Sequence, residues 1–147
     1  MYDQILVPTD GSKPAAAAVE EGIELARQND AAIHALYVVE PIPLGQFSAG
    51  SGPASSEWGD VVEEQRTEGD AATTDVADRA SEYDLVVVQA IEHGKPHVQI
   101  LEYVDEHDID AIVMGTHGRA GVDRLVLGSV TEKVVRKSEV PVLTVRE

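Results

Sequence analysis

No cysteine occurs among the 147 residues. That excludes a disulfide scaffold, a cysteine nucleophile and a thiolate metal site. Large aromatic groups are scarce, with one Trp and one Phe. No apolar run approaches the ~18 residues that a membrane-spanning helix needs. The chain passes from Met1-Tyr2-Asp3-Gln4 straight into a strand-like run, so no signal peptide is expected and a cytoplasmic protein is the expectation. Cationic charge is also thin. There are 11 Lys+Arg, only four of them Lys, against 27 Asp+Glu, for a net charge of −16. A surface of that sign disfavours nucleic acid and anionic membranes, both of which need a cationic face. High Asp+Glu with few Lys fits a halophile protein kept soluble in concentrated salt, where ions screen its self-repulsion. The plainer alternative is an acidic cytosolic protein.

Several motifs are missing as well. There is no G-x-x-x-x-G-K-[ST], hence no Walker-type NTPase. There is no G-x-S-x-G elbow and no Ser/His/Asp order suggesting a hydrolase. A phosphorelay receiver domain would need paired acids after the first strand, an Asp ending the third and a Lys ending the fifth. Here the corresponding residues are a single Asp10, Gln89 and Arg146.

What is present is an ordinary globular mix, 43% hydrophobic and 26% charged, of a length suited to one domain over 1–147. Five short runs rich in Val and Ile stand out: Gln4–Pro8, Ala32–Val39, Asp84–Ala90, Ala111–Gly115 and Pro141–Val145. They are nearly continuous rather than alternating, the mark of strands buried on both faces in a parallel sheet. Helical patterns lie between them, over Pro14–Gln28, Gly59–Glu82, Pro96–Glu106 and Leu127–Lys137. Ser12 suits the cap of the first, with Pro14 in its first turn. The β-α-β-α-β-α-β-α-β order calls for an α/β fold with right-handed crossovers. Residues 41–58, rich in Pro, Gly and Ser at first, read as one long mobile loop ending near Trp58, to which no function is assigned.

In such a sheet ligands bind beyond the carboxyl ends of the strands. After the first strand comes Pro8-Thr9-Asp10-Gly11-Ser12. After the fourth comes a glycine-rich run, Gly115-x2-Gly118-x9-Gly128-Ser129, leading into a helix. Glycines let a backbone approach a ligand closely. A helix start at Gly128-Ser129 favours phosphate, with the Ser129 and Thr131 hydroxyls and the Arg119 charge added. The charge balance agrees: residues 1–114 carry a net −18, while residues 115–147 carry +2. Some single residues have plainer readings. Asp10 is either a ligand or metal group or a cap of the first helix. His117 either touches phosphate or is an exposed loop residue. His93 and His97 are four apart, but Gly94 and Pro96 intervene and no third ligand is spaced to complete a metal site.

The glycine spacing, the run MGTHGRAGVDRLVLGSVTEKVVRKSEVPVLTV and the opening ILVPTDGS resemble the universal stress proteins, in particular their ATP-binding branch. The resemblance covers essentially the whole chain. It implies a Rossmann-like three-layer α/β sandwich with a five-stranded parallel sheet of order 3-2-1-4-5. It also implies a homodimer through the C-terminal strand Val140–Val145. Carried over by position, it implies that Pro8, Thr9 and Asp10 form the turn after the first strand, Asp10 lying near the ribose or a phosphate-bound Mg²⁺ or Mn²⁺. Val38 would contact adenine through its backbone. Met114 and Gly115 would border base and ribose. Gly118, Arg119, Gly128, Ser129, Val130 and Thr131 would surround the phosphates of ATP, ADP or AMP. No residue reads as a general base or nucleophile. The expected function is a nucleotide-binding stress sensor or regulator. A slow ATPase or autokinase with Ser129 or Thr131 as acceptor is one alternative. A dimeric interaction module with a vestigial nucleotide site is another.

Overall fold

The computed structural model describes residues 1–41, 56–117 and 127–147, the side chains of residues 56–58 and 60 excepted. The strands are β1 (Gln4–Pro8), β2 (Ala32–Val39), β3 (Val87–His93), β4 (Ala111–Gly115) and β5 (Val142–Val145). The helices are α1 (Lys13–Asn29), α2 (Ser56–Ser81), α3 (Pro96–Glu106) and α4 (Ser129–Lys137). All strand pairs are parallel, and the sheet order is β3-β2-β1-β4-β5.

The three central strands are buried because helices cover both faces of the sheet. On one face α1 and α2 pack through Ala18, Val19, Ile23 and Val76 on Ile5, Val7, Ile33 and Val113. On the other, α3 and α4 bring Ile100, Val104 and Val134 onto Leu6, Leu36 and Ile112. α1 is small-residue rich, which lets it lie close to the sheet. Ser12 caps it as expected, its Oγ accepting from Ala15 N at 3.3 Å. Asp30 ends it in the left-handed conformation with φ 51°.

Three sequence expectations need correction here. The apolar runs at β3 and β5 are not buried on both faces. They form the sheet edges, and Val88 and Leu143 remain 39% and 46% exposed. The third strand also begins three residues later than the apolar run Asp84–Ala90. Asp84, at φ 56°, belongs to the turn that closes α2, and β2 sets the register from Ile33↔Val87 to Val39↔His93. Pairing with a long neighbour thus draws Glu92 and His93 into the ladder, although neither is apolar. α2 starts at Ser56, three residues before the expected Gly59, so the last part of the loop expected over 41–58 is helical. Positions 42–55 of that loop, and the side chain of Trp58, lie outside the described residues.

His34 is a buried polar residue on the α3/α4 face, 6% exposed. Its Nε2 lies 2.7 Å from Gln4 Oε1, and its Nδ1 lies 2.7 Å from the Tyr103 hydroxyl. A carbonyl oxygen only accepts, so Nε2 carries the proton and Tyr103 donates to Nδ1. This neutral tautomer satisfies both nitrogens. His107 stacks on Tyr103 with centroids 3.7 Å apart. Burial, and then the neighbouring His107, hold the His34 imidazole below its ordinary pKa of 6.5. The unfolded chain therefore takes up a proton near pH 6.5 that the folded chain refuses until lower pH. Stability from this group is present above 6.5, falls as pH drops through 6.5, and levels off below the folded pKa. The expected result is that His34→Gln removes this part of the profile. Urea midpoints of parent and variant should converge between pH 7.5 and 5.5, and a constant gap would exclude His34 as the source.

Candidate functional site

The strand order reverses between β1 and β4, and a cleft of about 710 Å³ opens at the carboxyl ends of the strands there. Pro8, Thr9 and Asp10 line it after β1, Val38 on β2, and Met114 and Gly115 on β4. Gly128, Ser129, Val130 and Thr131 line it at the start of α4. Ten of the twelve positions singled out from sequence thus meet in one cleft. The other two, Gly118 and Arg119, lie outside the described residues.

Main-chain bonds fix the turn after β1. Thr9 N donates to Leu36 O at 2.8 Å, tying the end of β1 to β2. Gly11 takes φ 78°, a conformation that favours glycine, and its N–H donates to Thr9 Oγ1 at 3.2 Å. Asp10 Oδ1 accepts from Ser12 N at 2.9 Å, an Asx turn just ahead of α1. The helix cap is Ser12, and Asp10 holds the turn that brings the chain into it.

The opposite wall is built from the end of β4. Thr116 N donates to Val145 O at 3.0 Å. Gly128 N donates to Thr116 O at 2.8 Å, and Thr131 Oγ1 donates to Gly115 O at 2.8 Å. These bonds seat the first turn of α4 directly on β4. Gly128, extended at φ −61° and ψ 156°, is the N-cap, so α4 begins at Ser129 rather than at the expected Leu127. No side chain caps it, and the helix start opens onto the cleft. Thr131 is 3% exposed and its hydroxyl is committed to Gly115, which makes Thr131 a fastener between α4 and β4. Ser129 is the exposed hydroxyl. Gly115 packs against the first turn of α1: a Cβ there would lie 2.9 Å from Pro14 O.

His117 is half-buried in the cleft wall, its Nδ1 3.1 Å from Thr116 Oγ1, so of its two readings the exposed loop residue does not hold. His93 ends β3 and His97 lies in the first turn of α3, with Gly94 at φ 143° between them. They do not share a helix face, and among the described residues no cluster of metal-ligating side chains occurs.

Sequence reasoning missed the side of the cleft formed by Glu40, Gln65 and Glu68. Gln65 and Glu68 are three apart on α2 and share its face. Tyr37 Oη donates to Glu68 Oε2 at 3.4 Å. Glu40 immediately follows β2. That position was a usable signal, whereas the α2 pair depends on how the helix docks. Asp10, Glu40 and Glu68 make the lining acidic, and no Lys or Arg occurs among its described residues. Leu36 and Ile100 supply apolar wall beside Val38 and Met114.

A doubly wound parallel sheet with a ligand-sized cleft at its switch point defines the class: a Rossmann-like α/β protein. The chain belongs to the universal stress protein family, whose sequence profile matches residues 1–146. Universal stress protein MJ0531 of Methanocaldococcus jannaschii is 34% identical over 147 residues, spanning 100% of this chain and 84% of the relative. The solved structure of hypothetical protein MJ0577 superposes with a TM-score of 0.81 at 27% identity, covering 100% of this chain and 97% of that one. A universal stress protein solved in complex with cAMP superposes with a TM-score of 0.73 at 26% identity, covering 98% and 97%.

Proposed function

We propose that the protein binds an adenine nucleotide in this cleft, ATP in the first place with ADP and AMP as weaker forms, and acts as a cytoplasmic stress sensor or regulator. The observation that carries the reading is the convergence of ten sequence-selected positions on one cleft. In this reading the phosphates lie against the start of α4, where free N–H groups and the helix dipole favour negative charge. The base lies over the apolar wall of Leu36, Val38, Ile100 and Met114. Asp10 lies near the ribose or the phosphates. The cAMP complex of a related protein supports the adenosine half of the ligand.

Asp10 is a hard oxygen donor suited to Mg²⁺ or Mn²⁺, but the described residues supply no further metal cluster at its side. A metal would therefore arrive with the phosphates, and its role would be to neutralise their charge beside an acidic lining. None of the described helices is long and apolar enough to cross a membrane.

The test is calorimetric titration of nucleotide-stripped protein with Mg-ATP, ADP and AMP in molar-range KCl, conditions that suit so acidic a chain. One site per chain favouring ATP is the expected result. No binding by folded protein would overturn the reading and leave an interaction module with a vestigial site.

The reading includes a homodimer through Val140–Val145. Among the described residues β5 pairs only with β4, and Leu143 is 46% exposed on this edge. An exposed strand edge with apolar side chains invites pairing with a second chain, here as an isologous contact. Leu143→Arg is expected to give monomers by light scattering. An unchanged dimer would put the interface elsewhere.

A further inference from the structure

An anionic nucleotide approaching this protein meets a net charge of −16 and a cleft lined by Asp10, Glu40 and Glu68. Yet three of the chain's four lysines collect on one flank of the cleft. Lys95 is the N-cap of α3 and precedes Pro96, which lines the cleft. Lys133 follows cleft-lining Thr131 by two residues on α4, about 6 Å along the helix from Ser129. Lys137 is one turn further on the same face. α3 packs beside α4, and His97 in the first turn of α3 senses all three: slight desolvation, and then Lys133, Lys137 and Lys95, hold its pKa below the ordinary value. The three lysines are exposed, and among the described residues no ion pair holds any of them. Lys137 shares a groove with Asp105, Asp108 and Glu139, which dilutes its field. Lys95 and Lys133, nearer the cleft, are left as the effective pair.

We propose that Lys95 and Lys133, backed by Lys137, form a cationic approach flank that steers the phosphate end of a nucleotide to the start of α4. The inference rests on the nucleotide reading above and adds what sets the rate and direction of entry. Charges outside the cleft that focus the field act on encounter more than on the bound state. Screening limits their reach, to ~10 Å at 0.1 M salt and ~3 Å at 1 M. The flank therefore also makes entry sensitive to ionic strength.

The test is stopped-flow binding of the fluorescent analogues mant-ATP and mant-AMP from 1 M KCl down to 0.1 M, or to the lowest salt at which far-UV circular dichroism still matches that in 1 M; that lowest salt then replaces 0.1 M in the comparison. The variant is Lys95→Gln/Lys133→Gln. The control is Arg27→Gln/Arg79→Gln, which removes the same charge from the last turns of α1 and α2, away from the cleft. At 0.1 M KCl the lysine variant is expected to bind mant-ATP with an on-rate about fivefold lower than the control, within the range of steering effects. The loss should be smaller for mant-AMP and should vanish at 1 M. An on-rate for mant-ATP equal to that of the control overturns the steering role. So does a loss lying wholly in the off-rate, which would make the lysines direct contacts. Failure of the parent to bind mant-ATP at all would overturn the nucleotide reading together with this one, whereas binding with an unaltered on-rate overturns steering alone.

Discussion

Gly128→Val is expected to abolish nucleotide binding while the protein stays folded, its thermal midpoint only a few degrees lower. Gly128 has φ −61° and ψ 156°, extended geometry open to any L-residue, so valine suffers no backbone strain there. Its two structural bonds are both main-chain: its N–H donates to Thr116 O, and its carbonyl accepts from Glu132 N at 2.9 Å. Valine retains them. Neither residue offers a side-chain acceptor to the helix, but glycine is a much better N-cap than valine, so about 1 kcal/mol, or ~2–4 °C in thermal midpoint, is expected to be lost. In the proposed nucleotide reading the glycine serves to leave room, at the point where the first turn of α4 meets the cleft. Branched methyls there would hold phosphate oxygens away from the N–H groups of Ser129 and Val130. A loss of at least ~100-fold in Mg-ATP affinity, about 2.7 kcal/mol, is expected by calorimetry. A folded Gly128→Val protein with the affinity of the parent would move the phosphates away from α4.

The same helix start shows why much of the cleft was legible in sequence. β1, β2, β4 and α3 have the bounds expected from the apolar runs and their flanking turn residues. A central parallel strand must be apolar on both faces and must stop abruptly, and both requirements leave marks in a single stretch of chain. Cleft residues at the ends of such strands or directly after them, from Pro8 to Asp10 and at Gly115, inherit that legibility. The order of the strands does not. Periodicity leaves it open, and it entered as an implication of family resemblance.

What stayed hidden depends on contacts between distant segments. β3 slid three residues because β2 dictates its register. Glu68 reaches the cleft because α2 packs on β2 near Tyr37, where Gly69 brings the helix so close that a Cβ would sit 2.8 Å from the ring. Nothing near Glu68 in sequence signals that approach. His34 meets Tyr103 across 69 positions. Its place in the continuous apolar run of β2 predicted burial but not the partners that make burial tolerable.

Gly115→Ala is the second large effect, and it couples stability to binding. A Cβ at this position would stand 2.9 Å from Pro14 O and 3.0 Å from Pro14 C. The obstacle is the main chain of the first turn of α1, which cannot rotate aside as a side chain would. α1 must withdraw from β4, and it carries with it the Asp10–Ser12 turn that forms the facing wall of the cleft. The strain should cost about 2 kcal/mol, or ~4–8 °C in thermal midpoint for a chain of this size. Mg-ATP affinity per folded molecule should fall about tenfold as Asp10 shifts, a further ~1.4 kcal/mol. Gly22→Ala separates the two effects. Its Cβ would lie 2.7 Å from Val7 Cγ2, a stiff branched side chain, so stability should fall by a similar amount. That crowding is in the middle of α1, under the sheet, with the Asp10 turn bonded as before. Affinity measured on the folded fraction should then match the parent. If the two alanine variants lost affinity equally, the closeness of α1 to β4 would be a matter of packing alone, and Gly115 would have no separate part in shaping the cleft.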